Sequence, residues 1–257
     1  MTNQTNHINK TAIITGASRG IGAAIAKRLA SCGYNLSLCC RNSSDRLKAF
    51  AEDLHCAYGI EVLCHTGNVG DFYFAKDMVA NTISHFGHID VLINNAGISH
   101  IGLLSDMTPE EWNNIVSINL TGVFNFTKLV IPYMVADKCG RILQISSVWG
   151  NVGASCEVAY SACRGDINGL TKAPGKELAP SHIPVNAIAC GVIDTDMNRC
   201  FDETERAELA ALGRTGIMLM LRIFPVPTAS RRSPPPHMCV TFTLPSTCLR
   251  IPFPISA

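Results

Sequence analysis

The sequence predicts an α/β protein with a Rossmann-like, doubly wound parallel sheet. Short apolar runs alternate with helical patterns over residues 10–190, and a glycine-rich turn joins the first run to the first helix. Fully apolar strands that alternate with helices indicate a parallel sheet covered on both faces. A chain of 257 residues is long enough to bury one such core.

Six strands and their helices follow from apolar periodicity and turn residues. In chain order the predicted strands are residues 10–15, 35–40, 60–65, 89–93, 141–145 and 184–189. The predicted helices cover residues 23–32, 45–58 and 70–86, a stretch starting at Pro109 with Thr108 as its cap, and a stretch beginning near Tyr160. Ligands of such sheets bind outside the carboxyl ends of the strands.

Composition excludes several classes of function. The net charge of +1 does not indicate binding to nucleic acid. The twelve cysteines show no zinc-ligand spacing, so no metal is expected. The sequence shows no secretory pattern and no apolar run of eighteen residues, so no membrane partner is expected. We expect a cytoplasmic protein with reduced cysteines.

The composition changes abruptly after residue 212. All twenty acidic residues precede residue 213, whereas eight of the thirteen prolines follow it. We therefore predict a dinucleotide-binding catalytic domain over residues 1–212 and a Pro-rich irregular tail over residues 213–257. Such proline density excludes a regular helix and a central strand. An out-of-frame read of the coding sequence is one hypothesis for the origin of the tail.

The glycine turn predicts a dinucleotide site. Gly16 permits the tight turn, Gly20 lets backbone approach a ligand, and Gly22 lets helix and strand pack closely. A helix that starts after such a turn presents free N–H groups to a pyrophosphate. The predicted contacts of the turn are Thr15, Gly16, Ser18, Arg19, Gly20, Ile21 and Gly22.

The second strand indicates which dinucleotide is bound. It ends at Cys40-Arg41-Asn42, with no carboxylate before Asp45, and the glycine turn carries Arg19. An acidic residue there would hold the ribose hydroxyl of NAD, whereas a cation accommodates the 2′-phosphate of NADP. The sequence therefore favours NADP(H), although both arginines also fit a solvated surface.

Short amides follow the third and fourth strands, at the edge where a ligand would bind. Asn68 and Val69 follow the third strand, and Asn94, Asn95, Ala96 and Gly97 follow the fourth. Such amides bond either adenine or the neighbouring backbone, and the residues leave both interpretations open.

A hydroxyl, a phenol and a cation follow the fifth strand. Arg164 lies four residues after Tyr160, so both share one helical face, and Ser147 lies thirteen residues before Tyr160. A fixed cation beside a phenol favours the phenolate, which makes the tyrosine a better proton donor. Ser147 would then bond the same substrate carbonyl oxygen. Asn119 is a short amide within an apolar helical stripe, where it is either a satisfied polar group or holds a water.

Taken in order, these motifs resemble the short-chain dehydrogenase/reductase family over residues 8 to about 200. The pattern looks most like bacterial 3-oxoacyl-[acyl-carrier-protein] reductases, which use NADPH. The resemblance implies Tyr160 as proton donor, Ser147 as carbonyl orienter and Asn119 as water holder. It further implies that Ile193 and Thr195 lie near the nicotinamide carboxamide, and that the substrate is a small-molecule or carrier-protein-linked acyl group.

Three departures from the family predict reduced activity. Arg164 stands where the family has lysine, and arginine cannot release a proton at accessible pH. Pro174 lies in the helix of Tyr160, where it either destabilises the helix by about 3 kcal/mol or kinks it. In the family this helix packs against its partner in a second subunit, so the resemblance to a homo-oligomer is in doubt. The last strand and the substrate lid cannot be found in residues 213–257. Asp166 is a candidate partner that would draw Arg164 away from Tyr160. The alternative function is a non-catalytic NADP-binding or non-functional relative.

Overall fold

The structure, a computed structural model, describes residues 9–191, 193, 195–198, 237–244 and 247–254. Six of its strands are parallel and alternate with helices along the chain. These strands are β1 (Thr11–Ile14), β2 (Asn35–Cys40), β3 (Val62–Thr66), β4 (Val91–Asn94), β5 (Arg141–Ser147) and β6 (Val185–Cys190). They form one sheet in the order β3-β2-β1-β4-β5-β6. The predicted fold class is confirmed.

Helices connect the strands. They are α1 (Gly20–Ala30), α2 (Ser44–Tyr58), α3 (Phe72–Phe86), α4 (Pro109–Val116), α5 (Gly122–Asp137), α6 (Trp149–Val152) and α7 (Val158–Glu177). Short 3-10 turns cover Ala179–Ser181 and Asp196–Asn198. Thr108 and Glu111 form a capping box that starts α4, since each side chain satisfies a backbone N–H of the other.

The sheet reverses its order at β1, which pairs with β2 on one side and β4 on the other. Connections run outward from this point in both directions, so the loops after β1 and β4 diverge and leave a crevice between them. All four residues of β1 and all four of β4 are buried, as their apolar runs predict. The described residues contain no seventh strand in this sheet.

A π-helical turn, Ser117–Thr121, separates α4 from α5. A π turn holds one residue more than an α turn and often lies at a functional site. Together the three segments span Pro109–Asp137, which is long and apolar enough to cross a membrane. Half of its most apolar window is buried inside the fold, however, as in the core helix of a soluble protein.

Helix α7 continues through Pro174 to Glu177. The N–H of Leu178 donates to the Pro174 carbonyl, so the final turn closes after the proline. The lost bond to Leu170 therefore does not end the helix, although its energetic cost remains.

The tail contains more regular structure than the sequence predicts. Strands β7 (His237–Leu244) and β8 (Thr247–Pro254) pair as an antiparallel hairpin. A two-stranded hairpin leaves one edge of each strand unpaired, and proline is allowed in a strand where its nitrogen faces such an edge. Contacts divide the chain into units 1–226 and 227–257. The predicted boundary at residue 212 lies outside the described residues and stays a prediction.

Replacement of Phe126 by alanine tests the core between the sheet and α5. Phe126 is 0% exposed and packs among strand and helix residues. We expect Phe126→Ala to lower the free energy of unfolding by about 3–5 kcal/mol, measured by urea denaturation. Phe124, in the same helix, is 45% exposed, and the centroid of its ring lies 5.5 Å from Nζ of Lys128. Phe124→Ala should cost about 1 kcal/mol or less; equal losses for the two variants would contradict this packing.

Candidate active site

A cleft of about 770 Å³ opens at the carboxyl ends of the strands. Its lining comes from the loops after β1, β2, β3 and β4, the ends of β5 and β6, and the start of α7. Small-molecule and cofactor sites have volumes of about 300–1,000 Å³. The cleft therefore has the size and the position expected for the site of a doubly wound sheet.

Two glycines shape the turn between β1 and α1. Gly16 and Gly20 have φ values of +67° and +57°, which favour glycine. A Cβ on Gly16 would lie 2.8 Å from Ala96 Cα, and one on Gly22 would lie 2.4 Å from the Gly16 carbonyl oxygen. The first turn of α1 carries no acidic side chain and no side-chain cap. Its backbone N–H groups thus remain available to an anion in the cleft.

Asn95 ties the loop after β4 to the glycine turn. Its Nδ2 donates to the carbonyl oxygens of Thr15 and Gly16 at 2.9 and 3.0 Å. The Thr15 hydroxyl oxygen accepts from the backbone N–H groups of Asn95 and Ala96, both at 3.0 Å. Asn68 likewise accepts from the Gly70 N–H at 3.0 Å. Of the two interpretations of these amides, the structure shows bonds to neighbouring backbone.

Most residues predicted from the sequence meet in this cleft. Those that line it are Gly16, Ser18, Arg19, Gly20, Ile21, Arg41, Asn68, Val69, Asn95, Ala96, Gly97, Ser147, Tyr160, Arg164, Ile193 and Thr195. Thr15, Gly22 and Asn119 do not line it. Thr15 and Gly22 shape the glycine turn from behind, and Asn119 braces Arg164.

Strand β5 fixes the position of α7. The Ile145 carbonyl accepts from Nη1 of Arg164 at 2.8 Å, and the Ser146 hydroxyl donates to the Arg164 carbonyl at 3.0 Å. Gly150 allows close contact on another side, because a Cβ there would lie 2.4 Å from the carbonyl carbon of Arg164. These contacts hold the helix that carries Tyr160 against the strand that carries Ser147.

Asn119 lies at the centre of the π turn and is fully buried. Its Nδ2 donates to the carbonyls of Ile98 and Ile115 at 2.9 and 3.0 Å. Its Oδ1 accepts from the Ile98 N–H at 3.2 Å and from Nη2 of Arg164 at 3.0 Å. All four hydrogen-bonding positions of the amide are therefore used. The side-chain amide thus braces Arg164, and the water-holding role that the family resemblance implies stays a prediction.

Arg164 is 3% exposed, an unusual environment for a guanidinium. Its Nη groups bond to Ile145 and Asn119, and its Cζ lies 4.8 Å from the centroid of the Tyr160 ring. The positive charge thus lies over the ring of the predicted proton donor, a cation–π arrangement. The guanidinium does not pair with the exposed Asp166 that the sequence suggested as a partner.

The space for this guanidinium depends on Gly97. A Cβ at that position would lie 2.0 Å from Nη2 of Arg164 and 2.8 Å from Oδ1 of Asn119. Any larger residue would have to displace groups that hydrogen-bond to each other. Gly97 is therefore required by the close approach of a side chain.

Ser147 and Tyr160 each bring a hydroxyl group to the cleft. Ser147 ends β5, and its Oγ accepts from the Trp149 N–H at 3.2 Å. A serine hydroxyl that accepts in this way still has its proton to donate. Cys190 lies opposite Ser147 in the register of β5 and β6. Burial raises the pKa of the Cys190 thiol to about 11, which keeps this cleft residue protonated and weakly nucleophilic.

The sequence interpretation missed several residues of the cleft. Ser99 donates a hydrogen bond to the Glu157 carboxylate, and both line the cleft together with Trp149 and Ile101. Asp196 also lines the cleft and pairs with Arg19. Asp196 follows Thr195 directly. An acidic residue next to a predicted cofactor contact could have identified Asp196 as a residue of the site from the sequence. Ser99 and Glu157 have no comparable spacing signal.

Known proteins resemble this chain over most of its length. Residues 10–206 match the family described as short chain dehydrogenase. A 3-oxoacyl-[acyl-carrier-protein] reductase of Staphylococcus epidermidis is 39% identical over 196 residues, which is 76% of this chain and 80% of that protein. A Synechocystis protein of the same description is 38% identical over 207 residues, covering 80% and 83%. The crystal structure of a dehydrogenase/reductase from Sinorhizobium meliloti matches with a TM-score of 0.72 at 32% identity, covering 77% and 78%.

Replacement of Gly97 by alanine tests the packing around Arg164. The added methyl must displace the guanidinium, so we expect a loss of about 1–3 kcal/mol in the free energy of unfolding, measured in urea. Gly169→Ala in α7 is the matched control, because a Cβ there meets nothing within 4 Å. That control should be neutral or up to about 1 kcal/mol stabilising. An unchanged Gly97→Ala variant would show that Arg164 does not occupy this position.

Proposed function

The chain belongs to the short-chain dehydrogenase family, and we propose that it is an NADPH-dependent reductase of 3-oxoacyl thioesters. One observation carries the proposal. Ser147 and Tyr160 line the same cleft as the glycine turn. The described similarity to two 3-oxoacyl-[acyl-carrier-protein] reductases supports the thioester substrate.

The residues of the cleft fit a phosphorylated dinucleotide. Gly16 and Gly20 keep the turn free of side chains, and the uncapped start of α1 offers backbone N–H groups to a pyrophosphate. Arg19 and Arg41 line the same cleft and supply positive charge for a 2′-phosphate. The described part of the β2–α2 connection places no carboxylate in the cleft. These features support NADP(H) over NAD(H).

The proposed reaction reduces a carbonyl to a hydroxyl. The Ser147 hydroxyl donates a hydrogen bond to the carbonyl oxygen, and the Tyr160 hydroxyl gives its proton to the same oxygen. When bound, NADPH supplies the hydride that the carbonyl carbon receives. The Arg164 guanidinium over the Tyr160 ring stabilises the negative charge that the departing proton leaves.

The return of a proton to Tyr160 is the weak step in this proposal. Arg164 keeps its charge at accessible pH and therefore passes no proton of its own. Asn119 uses all four of its hydrogen-bonding positions within the protein, which leaves that amide none for a relay water. We infer a turnover rate well below that of a lysine-containing enzyme.

The same bonds favour the second candidate function, a non-catalytic relative that binds NADP. If Arg164 serves only to brace β5, the π turn and α7, the cleft binds a nucleotide but does not reduce a carbonyl. The two functions differ in turnover and share nucleotide binding.

The proposed partners and compartment follow from the proposed substrate. We propose an acyl group carried by a small thiol or by a carrier protein, and a reaction in the cytoplasm. Nine cysteines within residues 9–191 have free thiols, which fits the reducing compartment that we propose.

Replacement of Arg164 by lysine separates the two functions. We expect Arg164→Lys to oxidise NADPH with acetoacetyl-CoA about tenfold faster or more, because lysine restores a side chain that passes protons. Initial rates are followed at 340 nm beside the wild type.

Two controls accompany this measurement. Arg28→Lys makes the same exchange on α1, where the guanidinium bonds only to Ser31 among described residues, and should leave the rate unchanged. Tyr160→Phe should abolish turnover both in the wild type and in the Arg164→Lys variant. Equal rates for the wild type and Arg164→Lys would overturn the inferred weak step. Absence of turnover in both, with NADPH still bound, would favour the non-catalytic function.

A further inference from the structure

One carboxylate of the cleft lies between two arginines. Oδ2 of Asp196 lies 3.5 Å from Nη1 of Arg19 and 3.5 Å from Nη1 of Arg46. Arg19 belongs to the glycine turn and Arg46 to α2, so the carboxylate connects two elements that are distant in sequence. The Asp196 side chain is 19% exposed, whereas each arginine side chain is 57% exposed.

The segment that carries Asp196 lies against the glycine turn. Thr195 Cγ2 would lie 3.4 Å from a Cβ built on Gly20. Thr195, Asp196 and Arg19 all line the cleft. The carboxylate is therefore placed where the phosphate-binding elements of the cleft meet.

We propose that Asp196 sets the cofactor preference, because its carboxylate competes with the 2′-phosphate of NADP(H) for Arg19. The inference rests on the proposed function, since it assumes that the cleft binds a nicotinamide dinucleotide. A 2′-phosphate carries close to two negative charges and needs a free guanidinium. Asp196 neutralises that guanidinium and repels the phosphate. NAD(H) carries a neutral hydroxyl at this position, so its binding leaves the ion pairs intact.

The consequence is a binding site less selective for NADP(H) than its arginines alone predict. Arg19 offers the positive charge, and Asp196 cancels part of it before any ligand arrives. Removal of the negative charge at residue 196 should therefore raise the affinity for NADPH and barely change the affinity for NADH.

The test measures dissociation constants for NADPH and NADH by fluorescence titration of the full chain. We expect Asp196→Asn to raise the ratio of NADPH affinity to NADH affinity by about three- to tenfold, the range for one or two partly exposed ion pairs. Asp196→Glu keeps the charge and should stay within about twofold of the wild-type ratio. Asp77→Asn removes one exposed carboxylate from α3, a helix that contributes no residue to the lining of the cleft, and controls for net charge.

A double-mutant cycle identifies the partner of Asp196. In an Arg19→Ala background the effect of Asp196→Asn on the affinity ratio should fall below about twofold, because the contested guanidinium is gone. An unchanged or lower ratio in Asp196→Asn, with NADH still bound, overturns the inference. If Asp196→Asn raises the affinity ratio as much in the Arg19→Ala background as in the wild type, Asp196 does not compete with the phosphate for Arg19.

The same titration separates this inference from the proposed function. If the wild type binds neither nucleotide, the proposed function and the inference both fail. If it binds them but does not turn over acetoacetyl-CoA, only the reductase proposal fails, and the affinity ratio still decides the role of Asp196.

Discussion

The buried guanidinium of Arg164 is the interaction on which the site depends. It joins the Ile145 carbonyl on β5, the Asn119 amide in the π turn and the ring of Tyr160 on α7. A buried charge is costly unless its donors are hydrogen-bonded. The Nε of Arg164 has no hydrogen-bond partner among the described residues. The two Nη bonds and the contact with the Tyr160 ring must therefore offset the cost of burying the charge. One residue thus determines both the packing of three elements and the electrostatics around the phenol.

Much of the fold could be predicted from the sequence because its local signals agree with each other. The apolar runs of β1 and β4 are buried throughout, and the predicted bounds of β2 match the structure. The capping residues Thr108 and Pro109 start α4 where the sequence places them. The parallel direction of the strands followed from the alternation of strands and helices, whereas their order in the sheet came from the structure.

The fine structure of the site could not be predicted in the same way. The sequence shows that Asn119 is polar within an apolar stripe, but the saturation of its amide depends on the loop at Ile98, which is distant in sequence. The sequence gives two candidate partners for Arg164, and only tertiary packing decides against Asp166. The hairpin of β7 and β8 was missed because proline density argues against central strands but permits strands that have a free edge.

The π turn at Ser117–Thr121 takes up one residue more than an α turn while α4 and α5 stay in register with each other. One residue of α-helix corresponds to a rotation of about 100°, and the wider turn absorbs that rotation locally. A chain one residue shorter here would close into a continuous α-helix with α4 and α5 still aligned. Asn119 would then leave the centre of the turn and lose its bonds to Ile98 and Arg164, while Phe126 kept its place in the core. A single-residue deletion between residues 117 and 121 should therefore disturb the site more than the fold.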